Sequence, residues 1–223
     1  MSGGVPAGAA RDHAGPLPAT RRLTLAVAAL LALHVFLAWF ALQAAFVFVE
    51  LMWRVLAGPP ELRPLLATHV DQFRVLRLLQ GGLWIVTAAV FFRWLGRVRR
   101  NPLALGVTGV PYAPRQAMAA LGGLWNASDP RHPAGAGWRR ARPPARVLWW
   151  WALLVGAVVA EATATALALW SGRTLDLGPA MLALVLGQLL VIGAAALGIA
   201  VVLGVDGRQD AAARAPARAT QDG

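Results

Sequence analysis

Apolar residues along this chain gather into four long blocks, separated by stretches rich in Arg, Pro and Gly. The blocks are approximately Leu23–Val49, Leu76–Leu95, Val147–Trp170 and Pro179–Val205. Each has about 20 residues or more, the length needed to cross a hydrocarbon core of roughly 30 Å. Lipid offers no water to backbone amides and carbonyls, so each block must satisfy them internally as a helix. The pattern predicts an all-α fold: an integral membrane bundle of four transmembrane helices within residues 21–205. The first apolar run is longer than the roughly 7–15-residue core of a secretory signal, so it is expected to remain as a span. The tails, 1–20 and 206–223, are rich in Ala, Gly, Pro and Arg and have no apolar period, which predicts disorder. No internal repeat is evident, so the sequence gives no support to an inverted-repeat transporter.

Charge then orients the spans. All 21 basic residues are Arg, set against 10 acids for a net charge of +11. The connection 96–146 carries nine Arg and one acid, Asp129, and the N-terminal tail adds Arg11, Arg21 and Arg22. The connections 50–75 and 171–178 are balanced between Arg and acids. The positive-inside rule therefore predicts a multi-pass protein of the cell (plasma) membrane with both termini and the 96–146 connection cytoplasmic. Besides the lipid bilayer itself, the partners this implies are anionic lipid headgroups at the Arg-rich connection. Because the basic surplus is used by topology, nucleic acid is not an expected partner.

Composition removes several chemistries. With no Lys and no Cys, a Schiff-base lysine, a Walker-type phosphate loop, thiolate catalysis and thiolate metal sites are excluded. The four His, at positions 13, 34, 69 and 132, lack metal-ligand spacing. No metal, no cofactor and no catalytic motif is expected, and the chain does not read as an enzyme.

The connection 96–146 has the most distinctive local sequence. In PYAPRQAMAALGGLWNASDP, Met118, Leu121 and Trp125 recur at helical spacing after Pro114, which suits a helix's first turn. This predicts a short interfacial cytoplasmic helix with its apolar face on the acyl boundary and Arg115 at its polar edge. The run Trp149-Trp150-Trp151 at the start of the third block reads as an interfacial aromatic belt.

Several elements here are shared with a known family: Asn101-x-x-Ala104-Leu105-Gly106, Pro114-x-x-x-Met118, Leu124-Trp125-x-Ala127-Ser128-x-Pro130 and the Trp-Trp run. Over about residues 80–155 the chain resembles a bacterial family of uncharacterised multi-pass membrane proteins, a domain of unknown function. An apolar Trp- and Pro-containing stretch of the family pattern, before the Pro-x-x-x-Met element, is missing here. The resemblance implies a multi-pass membrane fold and brings no catalytic or binding residue with it, since the family has no established activity.

Five polar residues lie deep in the spans: His34, Gln43, Gln80, Glu161 and Gln188. Measured from the ends of the apolar blocks, His34, Gln80, Glu161 and Gln188 fall within a slab on the order of 6 Å thick. They are the candidate site, an intramembrane polar layer. Small residues border it, Gly156, Ala160, Ala164 and Ala168 in the third span and Ala183/Gly187 and Ala194/Gly198 in the fourth, and these favour close helix approach. No Arg is expected at the depth of Glu161, with Arg77 and Arg173 assigned to one boundary and Arg93 to the other. Burial without a cation favours the neutral carboxylic acid, expected to donate a hydrogen bond to Gln188 or His34.

Two functions follow from different classes. In the first, the chain is a structural or partner-binding membrane subunit, joined to another membrane protein or to a second copy of itself, and the polar layer fixes helix packing. In the second, it is a small transporter or proton-coupled protein using Glu161, the default meaning of an intramembrane acid. A lone acid, no intramembrane Lys and only four spans, a small frame for a carrier, favour the first.

Overall fold

The computed structural model of the protein describes residues 18–58, 63–98, 145–170 and 177–219. These form four helices, α1 (Pro18–Ala57), α2 (Arg63–Val98), α3 (Ala145–Trp170) and α4 (Leu177–Ala219), with no strand among the described residues. Pro18, Pro64 and Pro179 all stand in a first turn, where the amide proton that proline lacks has no helical partner to lose. Each helix contains a segment long and apolar enough to span a bilayer: Thr20–Val55, Asp71–Val98, Ala145–Leu167 and Pro179–Ala211. The all-α, four-span plan is thus the observed fold. The expected interfacial helix, with Met118, Leu121 and Trp125, lies outside the described residues.

The helices run further than the apolar blocks. α1 and α2 leave only a short connection, 58–62, where the sequence pattern left 50–75 between spans. Ion pairs one turn apart, Glu50–Arg54 and Asp71–Arg74, accompany the extra turns. At the other extreme α4 continues past Val205 to Ala219, which corrects the expectation of a disordered tail from Asp206. The reason is tertiary. Val205 is fully buried, and Asp206 and Gln209 find hydrogen-bond partners on α1 and on the last residue of α2.

Packing follows the order α2, α1, α4, α3, with α1 and α4 as the central pair. α2 and α3 approach one another mainly through long side chains, such as Phe91 against Trp150 with ring centroids 5.6 Å apart. Three buried layers stack along the bundle. The terminal end, where α1 and α3 begin and α2 and α4 finish, holds Val27, Leu31, Trp94, Val147, Trp150 and Val202. A middle layer joins Ala38, Ala157 and Val191, with Trp84 packed against them. Toward the loop end, Ala45, Ala164 and Leu184 pack with Phe73.

Small residues set the helix spacing as the sequence suggests. A Cβ added at Gly198 would lie 2.8 Å from Trp150 Nε1, so the Trp150 indole rests directly on the α4 backbone. That burial splits the Trp run. Trp149 is 65% exposed and suits an aromatic belt, whereas Trp150 is 5% exposed and belongs to the core.

Candidate functional site

Between the middle layer and the loop-end layer, four side chains form one connected polar network. Gln188 stands on α4 between Leu184 and Val191, Glu161 on α3 between Ala157 and Ala164, and Gln80 on α2 between Phe73 and Trp84. At this level α1 contributes the buried Ala41 and Leu42. Gln80 Nε2 donates to Gln188 Oε1 at 2.9 Å. Gln188 Nε2 in turn donates to Glu161 Oε1. Arg77, one turn before Gln80, pairs its Nη2 with Glu161 Oε2 and donates through Nη1 to Gln80 Oε1 at 3.3 Å. Among the described residues Glu161 Oε2 meets no donor other than that guanidinium.

The chain of contacts therefore closes on itself: Arg77 to Glu161, Glu161 to Gln188, Gln188 to Gln80, Gln80 back to Arg77. The Glu161 carboxylate also rests against the α4 backbone. A Cβ at Gly187 would sit 3.0 Å from its Oε1 and 3.2 Å from its Cδ, so a larger residue there would make the carboxylate shift by a few tenths of an ångström. Gln188 is 1% and Gln80 7% exposed, so both amides must be satisfied within the protein.

Three of the four expected layer residues, Glu161, Gln188 and Gln80, are thus brought together. His34 is not. Its Nε2 shares a hydrogen bond with Thr87 Oγ1 at 3.0 Å, and its ring lies 4.3 Å from that of Trp84. Thr87 is seven residues beyond Gln80 on α2, which is about 10 Å along the axis. Gln43, at nearly the same level on α1, faces outward and is exposed.

Arg77 is the residue missed, and its presence overturns the expected neutral, hydrogen-bond-donating Glu161. The site holds an ion pair, and Glu161 accepts from Gln188 rather than donating to it. The backbone of Arg77 stands toward one end of its span, but its side chain is long. Six residues in from Asp71, about 9 Å along the helix, its long stem reaches the carboxylate across the α2–α3 gap. The available signal was the spacing of Arg77 and Gln80, three residues apart and therefore on one helix face.

A second network lies at the terminal end. Thr24 Oγ1 is within hydrogen-bonding distance of Thr20 O and of Asp206 Oδ1, both at 3.1 Å. It also accepts from Trp94 Nε1 at 3.0 Å. Gln209 Nε2 donates to the Val98 carbonyl at 3.0 Å, which caps an orphan acceptor at the last residue of α2. No group of three or more metal-ligating side chains occurs among the described residues, so neither network resembles a metal centre. Compared with protein-family models, curated proteins and solved structures, the chain matches none.

Proposed function

We propose that this chain is a non-enzymatic subunit of a membrane assembly, whose polar network fixes how α2 and α3 seat on α4. The observation that carries this reading is the closure of the Arg77–Glu161–Gln188–Gln80 ring. Polar groups satisfied by one another hold helices in a single arrangement, whereas a solute path presents unpaired groups to its cargo. The proposal includes residence in the plasma membrane, cytoplasmic termini, anionic headgroups at the 96–146 connection, and kinship with the uncharacterised family that the connection resembles.

The second reading, a small transporter or proton-coupled protein, draws on one feature. Arg77 and Glu161 keep 28% and 18% of their side-chain surface exposed in the α2–α3 gap. An accessible ion pair can exchange partners with a proton or an anion.

One variant separates them. If the network is structural, Glu161→Gln lowers membrane abundance and the cellular phenotype together, and the phenotype returns when the protein is overproduced. A phenotype lost at normal abundance sinks the structural reading in favour of proton coupling. Orientation is tested separately, because the natural chain has no Cys. Single cysteines at Ala9, Ala136 and Ala212 should be protected from an impermeant thiol reagent in intact cells, and those at Ala67 and Gly172 labelled. Labelling at Ala136 from outside would reverse the topology.

A further inference from the structure

Gln43 is left without use by either network. It lies six residues inside the end of the apolar block Leu23–Val49, at the level of the Glu161 layer, yet its side chain is exposed on the outer face of α1. Among the described residues it has no hydrogen-bond partner. Its neighbours on that face are Phe36, Trp39, Phe40, Phe46 and Val47, exposed by 47–62%. This is a lipid-depth surface with a single primary amide at its centre. An unpaired amide in hydrocarbon is costly, and in membranes Gln is a residue that draws helices together.

The spacing of this face is regular. Phe36, Gln43 and Glu50 are seven residues apart, with Trp39/Phe40 and Phe46/Val47 filling the alternate positions. That is the pattern of a helix-pairing seam with one polar residue in the repeat, a device that fixes register and partner number. Glu50 at the seam's end is neutralised within its own helix by Arg54, so it does not repel a like neighbour.

We propose that two copies of this chain associate along the outer face of α1, with the Gln43 side chains hydrogen-bonded to each other across a two-fold axis along the membrane normal. Copies inserted with one topology present each residue at one depth, so this axis brings Gln43 against Gln43. A primary amide carries both donors and an acceptor, so two of them satisfy each other reciprocally. The interface is isologous and closes at two subunits. The inference rests on the chain being an assembly subunit and names its partner as a second copy.

The test uses the purified full chain in vesicles of phosphatidylcholine and phosphatidylglycerol, with energy transfer between labelled copies followed as lipid dilutes the protein. Transfer should report a dimer, and Gln43→Leu should raise its dissociation constant by about 3- to 30-fold, as expected for one intramembrane polar contact. Gln43→Asn, which keeps the amide, should stay nearer the natural chain. Since Gln43 is exposed and makes no hydrogen bond among the described residues, thermal unfolding of Gln43→Leu should be unchanged. Oxidation should cross-link Gln43→Cys far faster than Leu79→Cys or Val158→Cys, which lie on outer faces of α2 and α3. A monomer at every dilution, a Gln43→Leu dimer as tight as the natural one, or preferential cross-linking at Leu79→Cys overturns the proposal. Those failures would leave the subunit reading intact with another partner, because that reading is judged by the abundance and phenotype of Glu161→Gln.

Discussion

Toward the loop end, α2, α3 and α4 are tied by an ion pair and two amides; toward the terminal end, α1, α2 and α4 are tied by a hydroxyl, an indole, a carboxylate and an amide. The two networks differ in what each member would face alone. Arg77 and Glu161 neutralise each other between two apolar layers, so removing either leaves a charge in a poorly solvated place. Most contacts of the terminal network run through the neutral Thr24, and Asp206 has Arg21 nearby as a countercharge, offset in part by Asp210. Its donors lose a hydrogen bond when a partner is deleted, without stranding an ion. The loop-end network should therefore be the brittle one.

The sharpest way to break this comparison is at the ion pair. Arg77→Leu should destabilise the protein by about 3 kcal/mol, since a largely buried carboxylate loses its cation and keeps only the Gln188 hydrogen bond. The double variant Arg77→Leu with Glu161→Leu should recover most of that loss, measured by thermal unfolding in detergent. A double variant no better than the single one would mean that packing, not charge, dominates the site.

Sterics come next. Gly187→Val would push atoms into the Glu161 carboxylate, which already lies 3.0–3.2 Å from an ideal Cβ, and should cost about 1–3 kcal/mol. Because the displaced group is charged, the same variant made in the Arg77→Leu/Glu161→Leu background should cost clearly less. Equal costs in both backgrounds would show that the carboxylate is not what Gly187 accommodates.

At the terminal end the effects shrink. Thr24→Val leaves the Trp94 indole N–H without its acceptor and takes one hydrogen bond from Asp206, which keeps Arg21 nearby, and about 1–3 kcal/mol is expected. A loss exceeding that of Arg77→Leu would invert the ranking of the two networks. Smallest of all, Gln209→Ala removes one hydrogen bond to the Val98 carbonyl, worth about 1 kcal/mol. Its signature should be local: faster amide exchange beyond Val205 with little change in the unfolding temperature.

Much of the fold was legible because the bilayer acts on residues one at a time. Hydropathy summed over about 20 positions locates a span whatever its neighbours do, so four helices and their approximate limits could be read directly. Close approach of α3 to α4 was legible for a similar reason, since Gly156, Gly187 and Gly198 remove side-chain bulk in any arrangement. Even the membership of Gln80, Glu161 and Gln188 in one layer followed from helix rise alone.

What the sequence alone could not supply was rotation and reach. His34 counts into the same slab from the block ends, but the stagger of the helices sets it about 10 Å along the bundle from the layer, against Thr87 and Trp84. Gln43 is as polar and as deep, and the rotation of α1 turns it to the outside. Arg77 starts outside the layer and enters it by the length of its side chain, which converts an expected neutral acid into half of an ion pair. The helical extension of α4 beyond Val205 depends likewise on partners in α1 and α2 that no local pattern announces. Which segments span is set by transfer energies summed residue by residue, so the sequence determined it; partnership is set by how four helices rotate and stagger against one another, and only the tertiary structure decided that.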